Sequence, residues 1–308
     1  MHATFKQDVL ILMEDLCKHV SKSIADFGQL SGGNMPGYTS QRIVIKQLFD
    51  KTSRENYTWA SIVLRLTVID SLYSTNAAYS YFSIEELATA IYNIGRESEA
   101  ATYFYGIACG NDDTSKLFCG KYGMRKNLDD GGALISLISK YAYYVLLQNP
   151  QTYPLGFPIY DSLVLKMLPI VSNYLGCPKS KPQKKEIKPF VTAIDEVRKA
   201  LLGNNSELFC GFQAYDALDI YLWRMGKIDA GNYSLLLEKQ DYETFINNIG
   251  MKSYKAKNNS QQNFNNEVRD RCSHYSIVNI VKDVSVKPPL QSMIEHWKQY
   301  YTLRTSKY

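Results

Sequence analysis

Two residues near the middle of the chain have side chains and settings suited to nucleophilic and electrostatic catalysis. Lys140 is the single charged residue of the apolar stretch GGALISLISKYAYYVLL (131–147), and Asp161 stands immediately before another apolar stretch, 162–174. Apolar surroundings lower the pKa of a lysine, which raises the fraction of neutral amine that can act as a nucleophile or base. A carboxylate at a helix N-terminus is stabilised as an anion by free backbone amides, so Asp161 is suited to face a developing cation.

The segment between the two residues determines which elements of secondary structure carry them. QTYPLGFPIYD (151–161) contains prolines and a glycine that prevent a regular helix and hold the chain extended until Asp161. The pattern therefore predicts a helix bearing Lys140, an extended connection, and a second helix that starts at Asp161. A lysine and an aspartate 21 residues apart also commonly form a structural salt bridge, or the lysine extends its amine to solvent along an apolar stem.

Helical periodicity dominates the rest of the chain. Ser83 is expected to cap a helix at 84–94, with acids in its first turn. The helix at 58–73 is apolar around most of its circumference and is expected to be central and buried, with Arg65 and Asp70 paired to partners. Further helices are predicted near the N-terminus and at 131–147, 162–174, 191–202, 208–225 and 290–301, with a flexible connection at 252–271 and short strands at 275–286.

Composition shifts predict three segments. The loop GQLSGGNMPGYTS (28–40) separates an N-terminal helical element from the main body. We therefore expect an N-terminal helix and loop at 1–40, a helical body at 41–227 and a C-terminal extension at 228–308. The chain has no internal repeat, its strand signals are too sparse for a doubly wound sheet, and it lacks the Gly-rich loops that bind nucleotide phosphates. The predicted fold class is mainly α, with a small C-terminal extension of uncertain structure.

Composition also narrows the functional classes. The six cysteines are scattered, and the four histidines lie near the chain ends without metal-binding spacing, so neither a metal nor another cofactor is expected. A formal net charge of +5 permits a polyanionic partner without requiring one. No apolar run approaches the roughly 18 to 20 residues that cross a bilayer, and no cleavage site follows the amphipathic N-terminus. We expect a soluble cytoplasmic protein with no membrane partner.

A helix bearing Lys140, followed by a loop that ends in Pro158-Ile159-Tyr160-Asp161, resembles the core of 8-oxoguanine-type DNA glycosylases. These enzymes belong to the helix-hairpin-helix superfamily. The block is also similar to that of bacterial proteins with the 8-oxoguanine glycosylase fold, some of them associated with defence against phages that carry modified bases. The resemblance covers about residues 41–227 and implies a helix-hairpin-helix glycosylase-like helical bundle that acts on double-stranded DNA.

The resemblance assigns roles to both residues. Lys140 would attack C1′ of the sugar to displace the base, and Asp161 would stabilise the oxocarbenium character of the sugar, or activate water if Lys140 is not the nucleophile. The family usually has a Gly-x-Gly turn shortly before this lysine, whereas the chain has Leu137-Ile138-Ser139. This departure weakens the expectation of abasic-site lyase activity more than that of base excision.

Further DNA contacts are implied by analogy. Tyr73 and Asn76 lie at the polar break after the buried helix, where the family places residues that fill the gap left by a flipped base; a helix-capping or turn role is the alternative for Asn76. Aromatic side chains commonly sandwich flipped bases, so Phe212 and Trp223 are candidates for a base pocket, with core packing as the alternative. A basic loop, which otherwise is a solvated linker, could attract phosphates. Its lysines are Lys179, Lys181, Lys184 and Lys185.

These observations favour a DNA glycosylase that flips a damaged or modified base out of the duplex and cleaves its N-glycosidic bond, leaving an abasic site. Oxidised guanine and a modified phage cytosine are both plausible substrates. Two other hypotheses remain open. One is a non-catalytic DNA-binding module on the same scaffold, because fold does not fix function. The other is a helical protein-interaction scaffold.

Overall fold

The fold is known from a computed structural model. It describes residues 2–27, 37–55, 57–73, 75, 77, 82–111, 116–123, 134–177, 186–204, 207–231, 243–244, 246–247, 250–251 and 261–272. These residues contain eleven helices that are described in full and no β-strand. The predicted mainly α class is therefore confirmed, whereas the helix-hairpin-helix glycosylase-like arrangement stays a prediction.

The described helices are numbered in chain order. They are α1 (His2–Phe27), α2 (Gly37–Glu55), α3 (Trp59–Tyr73), α4 (Ser83–Tyr92), α5 (Glu97–Ala108), α6 (Lys116–Cys119), α7 (Ile135–Leu147), α8 (Ser162–Leu175), α9 (Ile187–Leu202), α10 (Ala214–Asp229) and α11 (Gln261–Cys272).

The chain divides into two compact units. The first joins Met1–His19 to Ile220–Tyr308, and the second is the continuous segment Val20–Asp219. The predicted boundaries after residues 40 and 227 differ from this division, because α1 and α10 each begin in one unit and end in the other. The buried apolar side chains of the first unit include Val9, Leu12, Met13, Leu16, Leu222, Met225, Ile228, Phe264 and Val268.

Helix α7 lies at the centre of the second unit. Every residue from Leu137 to Leu146 is buried, so this helix is enclosed on all sides. It packs against α2, α3 and α5. Aromatic rings fill the space between these helices: the Phe49 ring lies 5.5 Å from the rings of both Tyr141 and Tyr144. A polar group on α7 therefore has little access to solvent and needs partners within the protein.

The proline-rich connection after α7 is held by the start of α10. The side-chain amide of Gln213 donates to the carbonyl of Leu146 at 3.0 Å and to that of Tyr153 at 2.7 Å. Gly156 has a φ of 71°, and a Cβ at this position would lie 2.9 Å from Oε1 of Gln213, so only glycine fits without strain. Residues 157–161 then continue without helical structure to α8, whereas 150–155 form turns closed by bonds such as that from the Tyr153 N–H to the Asn149 carbonyl, so the predicted extended chain over 151–161 is wrong for its first half.

Helix α3 is buried on one face. Its buried positions include Ile62, Leu66 and Ile69, whereas Leu64 is 47% exposed. The expectation of a helix buried around its circumference is therefore wrong, since α3 packs mainly on α2, α4 and α7 and leaves its remaining face open. The expectation of partners for Arg65 is confirmed, because its guanidinium pairs with Glu97 at 2.5 Å.

Asp70, the other charged residue buried in α3, also has the predicted partners. Its carboxylate accepts hydrogen bonds from the hydroxyl of Thr75 and from the backbone N–H of Ala77 at 2.9 Å. Both donors follow the end of α3, so Asp70 fixes the chain where it leaves the helix.

Several helix limits differ from the prediction. Helix α9 begins four residues earlier than predicted, and α10 spans 214–229 instead of 208–225. Phe82, in a left-handed conformation, occupies the N-cap of α4, and Ser83 is the first helical residue, donating its hydroxyl to the carbonyl of Ala77 at 2.7 Å. Helix α2 already begins at Gly37, within the predicted loop, and α11 replaces much of the predicted flexible connection. The predicted strands at 275–286 and the last predicted helix lie outside the described residues.

Candidate functional site

Lys140 extends from the enclosed helix α7 into the interior of the second unit. It is 3% exposed, and its amine donates to the hydroxyl of Ser136, one turn earlier, at 2.7 Å. The amine also lies 5.5 Å from the centre of the Tyr73 ring. Burial lowers the pKa of Lys140, against the opposing attraction of the Asp161 and Asp219 carboxylates. The predicted apolar environment of this amine is therefore present.

Asp161 is the N-cap of α8, as its position before an apolar stretch predicted. Its backbone is extended, and its carboxylate accepts a hydrogen bond from the N–H of Leu163 at 2.8 Å. The residue is half-buried, in contrast to the enclosed Lys140. A carboxylate that caps a helix is held in one orientation and is stabilised as an anion by the helix N-terminus.

A hydrogen bond between α7 and the connection fixes the two residues relative to each other. The backbone N–H of Tyr160 donates to the hydroxyl of Ser139 at 2.9 Å, so the neighbours of Asp161 and Lys140 in sequence are joined directly. The two charged side chains attract each other. Within the described part of the chain, however, Lys140 and Asp161 form no direct ion pair.

Helix α10 adds two buried acids that the sequence analysis missed. Asp216 is 2% exposed and holds both ends of the Arg42 guanidinium, with one N–O distance of 2.7 Å. Asp219, one turn later, is 4% exposed, and its Oδ1 has no hydrogen-bond partner among the described residues. Two acids three residues apart in the otherwise apolar stretch AYDALDIYLW were the signal that could have identified them.

The charges around Asp219 shift the pKa of its carboxyl group in opposite directions. Burial raises its pKa well above the ordinary value, and the nearby carboxylates of Asp161 and Asp216 raise it further. The cations of Lys140 and Arg42 oppose this effect without cancelling it. A buried acid in this environment favours the neutral, protonated form.

Aromatic side chains enclose the same region. The hydroxyl oxygens of Tyr73 and Tyr144 lie 2.7 Å apart, and burial raises the pKa of Tyr73 to about 12. The Arg42 guanidinium lies 5.5 Å from the ring centres of both Tyr143 and Phe212. These rings exclude water from the charged groups, and this strengthens the electrostatic interactions between them.

The structure brings together only some of the predicted site residues. The ring centre of Tyr73 lies 5.5 Å from the Lys140 amine, and the predicted DNA contact of Tyr73 stays a prediction. Phe212 is 8% exposed in the second unit, and Trp223, with the Lys227 amine 5.3 Å from its ring centre, belongs to the first unit. A base pocket formed by these two rings stays a prediction. The predicted DNA contacts outside the described residues are Asn76, Lys179, Lys181, Lys184 and Lys185.

The described residues constrain other kinds of site. In the part of the chain that the structure describes, no three His, Cys, Asp or Glu side chains are arranged to hold a metal ion. None of the described helices is long and apolar enough to span a bilayer. The charged groups described in this region are a buried amine, a buried guanidinium and neighbouring carboxylates.

Comparisons with known proteins add no family. The chain matches no protein-family model, and no curated protein or solved structure is significantly similar to it. The function must therefore be inferred from the site itself, which contains an amine of lowered pKa, a helix-capping carboxylate that attracts it, and a second, buried carboxyl group whose pKa both of them influence.

Proposed function

We propose that this chain is a DNA glycosylase that takes a modified base out of the duplex and cleaves its N-glycosidic bond, leaving an abasic site. The observation that carries the proposal is that Lys140 on α7 and Asp161 at the N-cap of α8 are held near each other and attract each other without a direct ion pair. The hydrogen bond between Tyr160 and Ser139, their sequence neighbours, holds this arrangement. A cation develops at the sugar as the glycosidic bond breaks, and a carboxylate held in place stabilises such a charge.

Asp161 is the group that meets the sugar first. It is half-buried, whereas Lys140 is 3% exposed and its amine is hydrogen-bonded to Ser136. In the hydrolytic route, the base leaves with the electron pair of the C1′–N bond, the Asp161 carboxylate stabilises the oxocarbenium character of the sugar, and water adds to C1′. In the alternative lyase route, neutral Lys140 forms the new bond to C1′ in place of water.

The test is abasic-site formation by the purified chain on a panel of duplex DNAs. The panel contains oxidised guanine, alkylated bases, uracil and glucosylated hydroxymethylcytosine, because the sequence favours none of these four substrate classes over the others. Release of one base would support the proposal and identify the substrate class. Release of none of them would contradict it for these classes.

Borohydride trapping separates the two routes. The lyase route passes through a Schiff base between an amine and the sugar, and borohydride reduces this to a covalent protein–DNA adduct. An adduct that is present in the wild type and lost in Lys140→Met would assign the nucleophile. Base release without an adduct would assign hydrolysis. Asp50→Asn is a matched control, because Asp50 is a surface α2 residue that pairs with Lys46 at 3.4 Å.

The enclosure of Lys140 also favours a second candidate function, a non-catalytic DNA-binding module. In that case, Lys140 and Asp161 would stabilise the contact between α7 and α8 without reacting. DNA binding that falls with salt and is unchanged in Asp161→Asn, with no base released from the panel, is the result that this function predicts.

A further inference from the structure

Lys140 and Asp161 attract each other, yet no direct ion pair joins them within the described residues. The backbones that carry them are tied together, because the N–H of Tyr160 donates to the Ser139 hydroxyl at 2.9 Å. Attraction between opposite charges is strong where water is excluded. Some other contact must therefore hold the two side chains apart.

The hydroxyl of Ser136 is that contact. It accepts a hydrogen bond from the Lys140 amine, four residues later on α7, at 2.7 Å. Side chains on a helix lean toward its N-terminus, so a lysine at position 140 extends naturally over residue 136. The amine is thereby kept on α7 itself. Its one hydrogen bond to a described residue is this bond to Ser136.

Ser136 is fixed in turn by the chain that leads to Asp161. Its carbonyl accepts a hydrogen bond from the Ser139 hydroxyl at 3.0 Å, and the same hydroxyl accepts the N–H of Tyr160. Ser136 is half-buried on the first turn of α7, whereas Lys140 is 3% exposed. The acceptor of the amine therefore has a set position relative to the residue before Asp161.

Two electrostatic forces act against this position of the amine. The N-terminus of α7 carries the positive end of the helix dipole, which disfavours an ammonium group in the first turn. The carboxylate of Asp161 attracts the amine. It also has an oxygen to offer, because its Oδ1 accepts the N–H of Leu163 while no described residue donates to its Oδ2. Loss of the Ser136 hydroxyl should therefore release the amine toward Asp161.

The other titratable groups around the amine are weaker partners for it. Among the described residues they are Tyr73 on α3 and Asp219 on α10. Tyr73 offers no anion, since burial raises the pKa of its hydroxyl to about 12. Asp219 attracts the amine less than Asp161 does, and burial favours its neutral form. Asp161 is thus the anion that a released Lys140 would meet.

We propose that Ser136 is a positioning residue that holds the Lys140 amine on the first turn of α7 and so keeps it from pairing with Asp161. The carboxylate of Asp161 then stays available to the charge that develops on the sugar. The use of this separation rests on the proposed function. The separation itself can be measured without a substrate.

The measurement is the titration of the Lys140 amine in the full chain, followed by NMR of ¹³C at the lysine Cε carbons. The Lys140 signal is assigned by its absence in Lys140→Met. In Ser136→Ala the titration midpoint should rise by about 1–3 pH units, because the amine gains an ion pair with Asp161. Ser136→Thr keeps a hydroxyl and should keep the wild-type midpoint. In an Asp161→Asn background, Ser136→Ala should cause no rise.

Two results would overturn the inference. One is a midpoint in Ser136→Ala that is unchanged or lower, since the amine would then stay in place without the hydroxyl. The other is a rise that persists in the Asp161→Asn background, since Asp161 would then not be the partner. Ser162→Ala is the matched control: it removes an exposed hydroxyl next to Asp161 on α8 and should leave the midpoint unchanged. Alanine is the best helix former, so Ser136→Ala should keep α7 intact.

The use of the separation is measured by the rate of base release on a substrate that the wild type cleaves. Ser136→Ala should lower this rate by at least about tenfold, because an ion-paired Asp161 no longer faces the sugar, and Ser136→Thr should restore it. In Asp161→Asn, Ser136→Ala should have no further effect, because the carboxylate that the amine would neutralise is absent. An unchanged rate, or a fall by the same factor in both backgrounds, would contradict this use.

The two proposals fail separately. If no base is released from any panel substrate while the midpoint rises in Ser136→Ala, the glycosylase proposal fails and the positioning role of Ser136 remains. If base is released and the midpoint does not rise, the reverse holds.

Discussion

Replacement of Asp219 by asparagine should make the protein more stable at neutral pH, by an amount that depends on pH. An unfolded aspartate loses its proton near its ordinary pKa of 3.8, whereas burial in α10 raises the pKa in the folded protein well above that value. Between these two values the folded state binds one more proton than the unfolded state. Stability from this group therefore falls as pH rises through this range.

The size of this change in the free energy of unfolding follows from the one proton that Asp219 retains in the folded protein. At pH values where the folded protein keeps this proton and the unfolded chain has lost it, the free energy of unfolding of Asp219→Asn should rise relative to that of the wild type by about 1.4 kcal/mol per pH unit. Lys140 produces the opposite slope, because the unfolded state binds its proton more tightly than the folded state does. Because Asp219 also acts on the pKa of Lys140, the difference between the two proteins reports the combined change of both groups.

The assay is urea unfolding of the wild type and Asp219→Asn at pH 5, 6 and 7, at one ionic strength. Asp50→Asn controls for the general effect of removing a carboxylate, since Asp50 lies on the surface of α2. A difference between the wild type and Asp219→Asn that does not change with pH would refute the reasoning. It would mean that Asp219 is ionised in the folded protein throughout this range.

Three further substitutions test the framework of the site, each by urea unfolding. Ser139→Ala removes the acceptor for the N–H of Tyr160 and should cost about 1–3 kcal/mol; an unchanged stability would show that this contact does not hold the connection. Arg65→Met removes a fully buried guanidinium that binds Glu97, the Thr52 hydroxyl and the Phe49 carbonyl, and should cost about 3–5 kcal/mol, whereas a neutral effect would contradict that role. Gly156→Ala places a Cβ 2.9 Å from Gln213 at a φ of 71° and should cost on the order of 1–3 kcal/mol, and a stabilising effect would rule out strain there.

Most of the helices could be predicted because the apolar spacing and the capping residues that indicate a helix lie within or directly next to it. The apolar stretches of α3, α7 and α8 give both their existence and their approximate limits, and the cap at Asp161 follows from a polar residue placed directly before an apolar run. The predicted limit of a helix was wrong where a contact with another part of the chain determines it. The hydroxyl of Ser83, for example, donates a hydrogen bond to the carbonyl of Ala77 and does not cap α4.

The candidate site could be predicted only in part. Lys140 and Asp161 lie on consecutive elements, so a short-range pattern connects them. Arg42 and Asp216 are 174 residues apart, and no local signal indicates that they meet. Asp219 could have been identified by the reasoning applied to Lys140, namely that a charged residue in an apolar helix needs a partner. The groups that act on it become evident only in the structure, where Gln213, just before α10, donates to the carbonyl of Leu146 in α7.

The central claim is tested most directly by the rate of base release in Asp161→Asn under single-turnover conditions, on whichever panel substrate the wild type cleaves. Asparagine is as good an N-cap as aspartate, so α8 should stay intact and only the negative charge is lost. We predict that the rate falls by at least about 100-fold while DNA binding is retained. Full base release by Asp161→Asn would contradict the proposed role of this carboxylate.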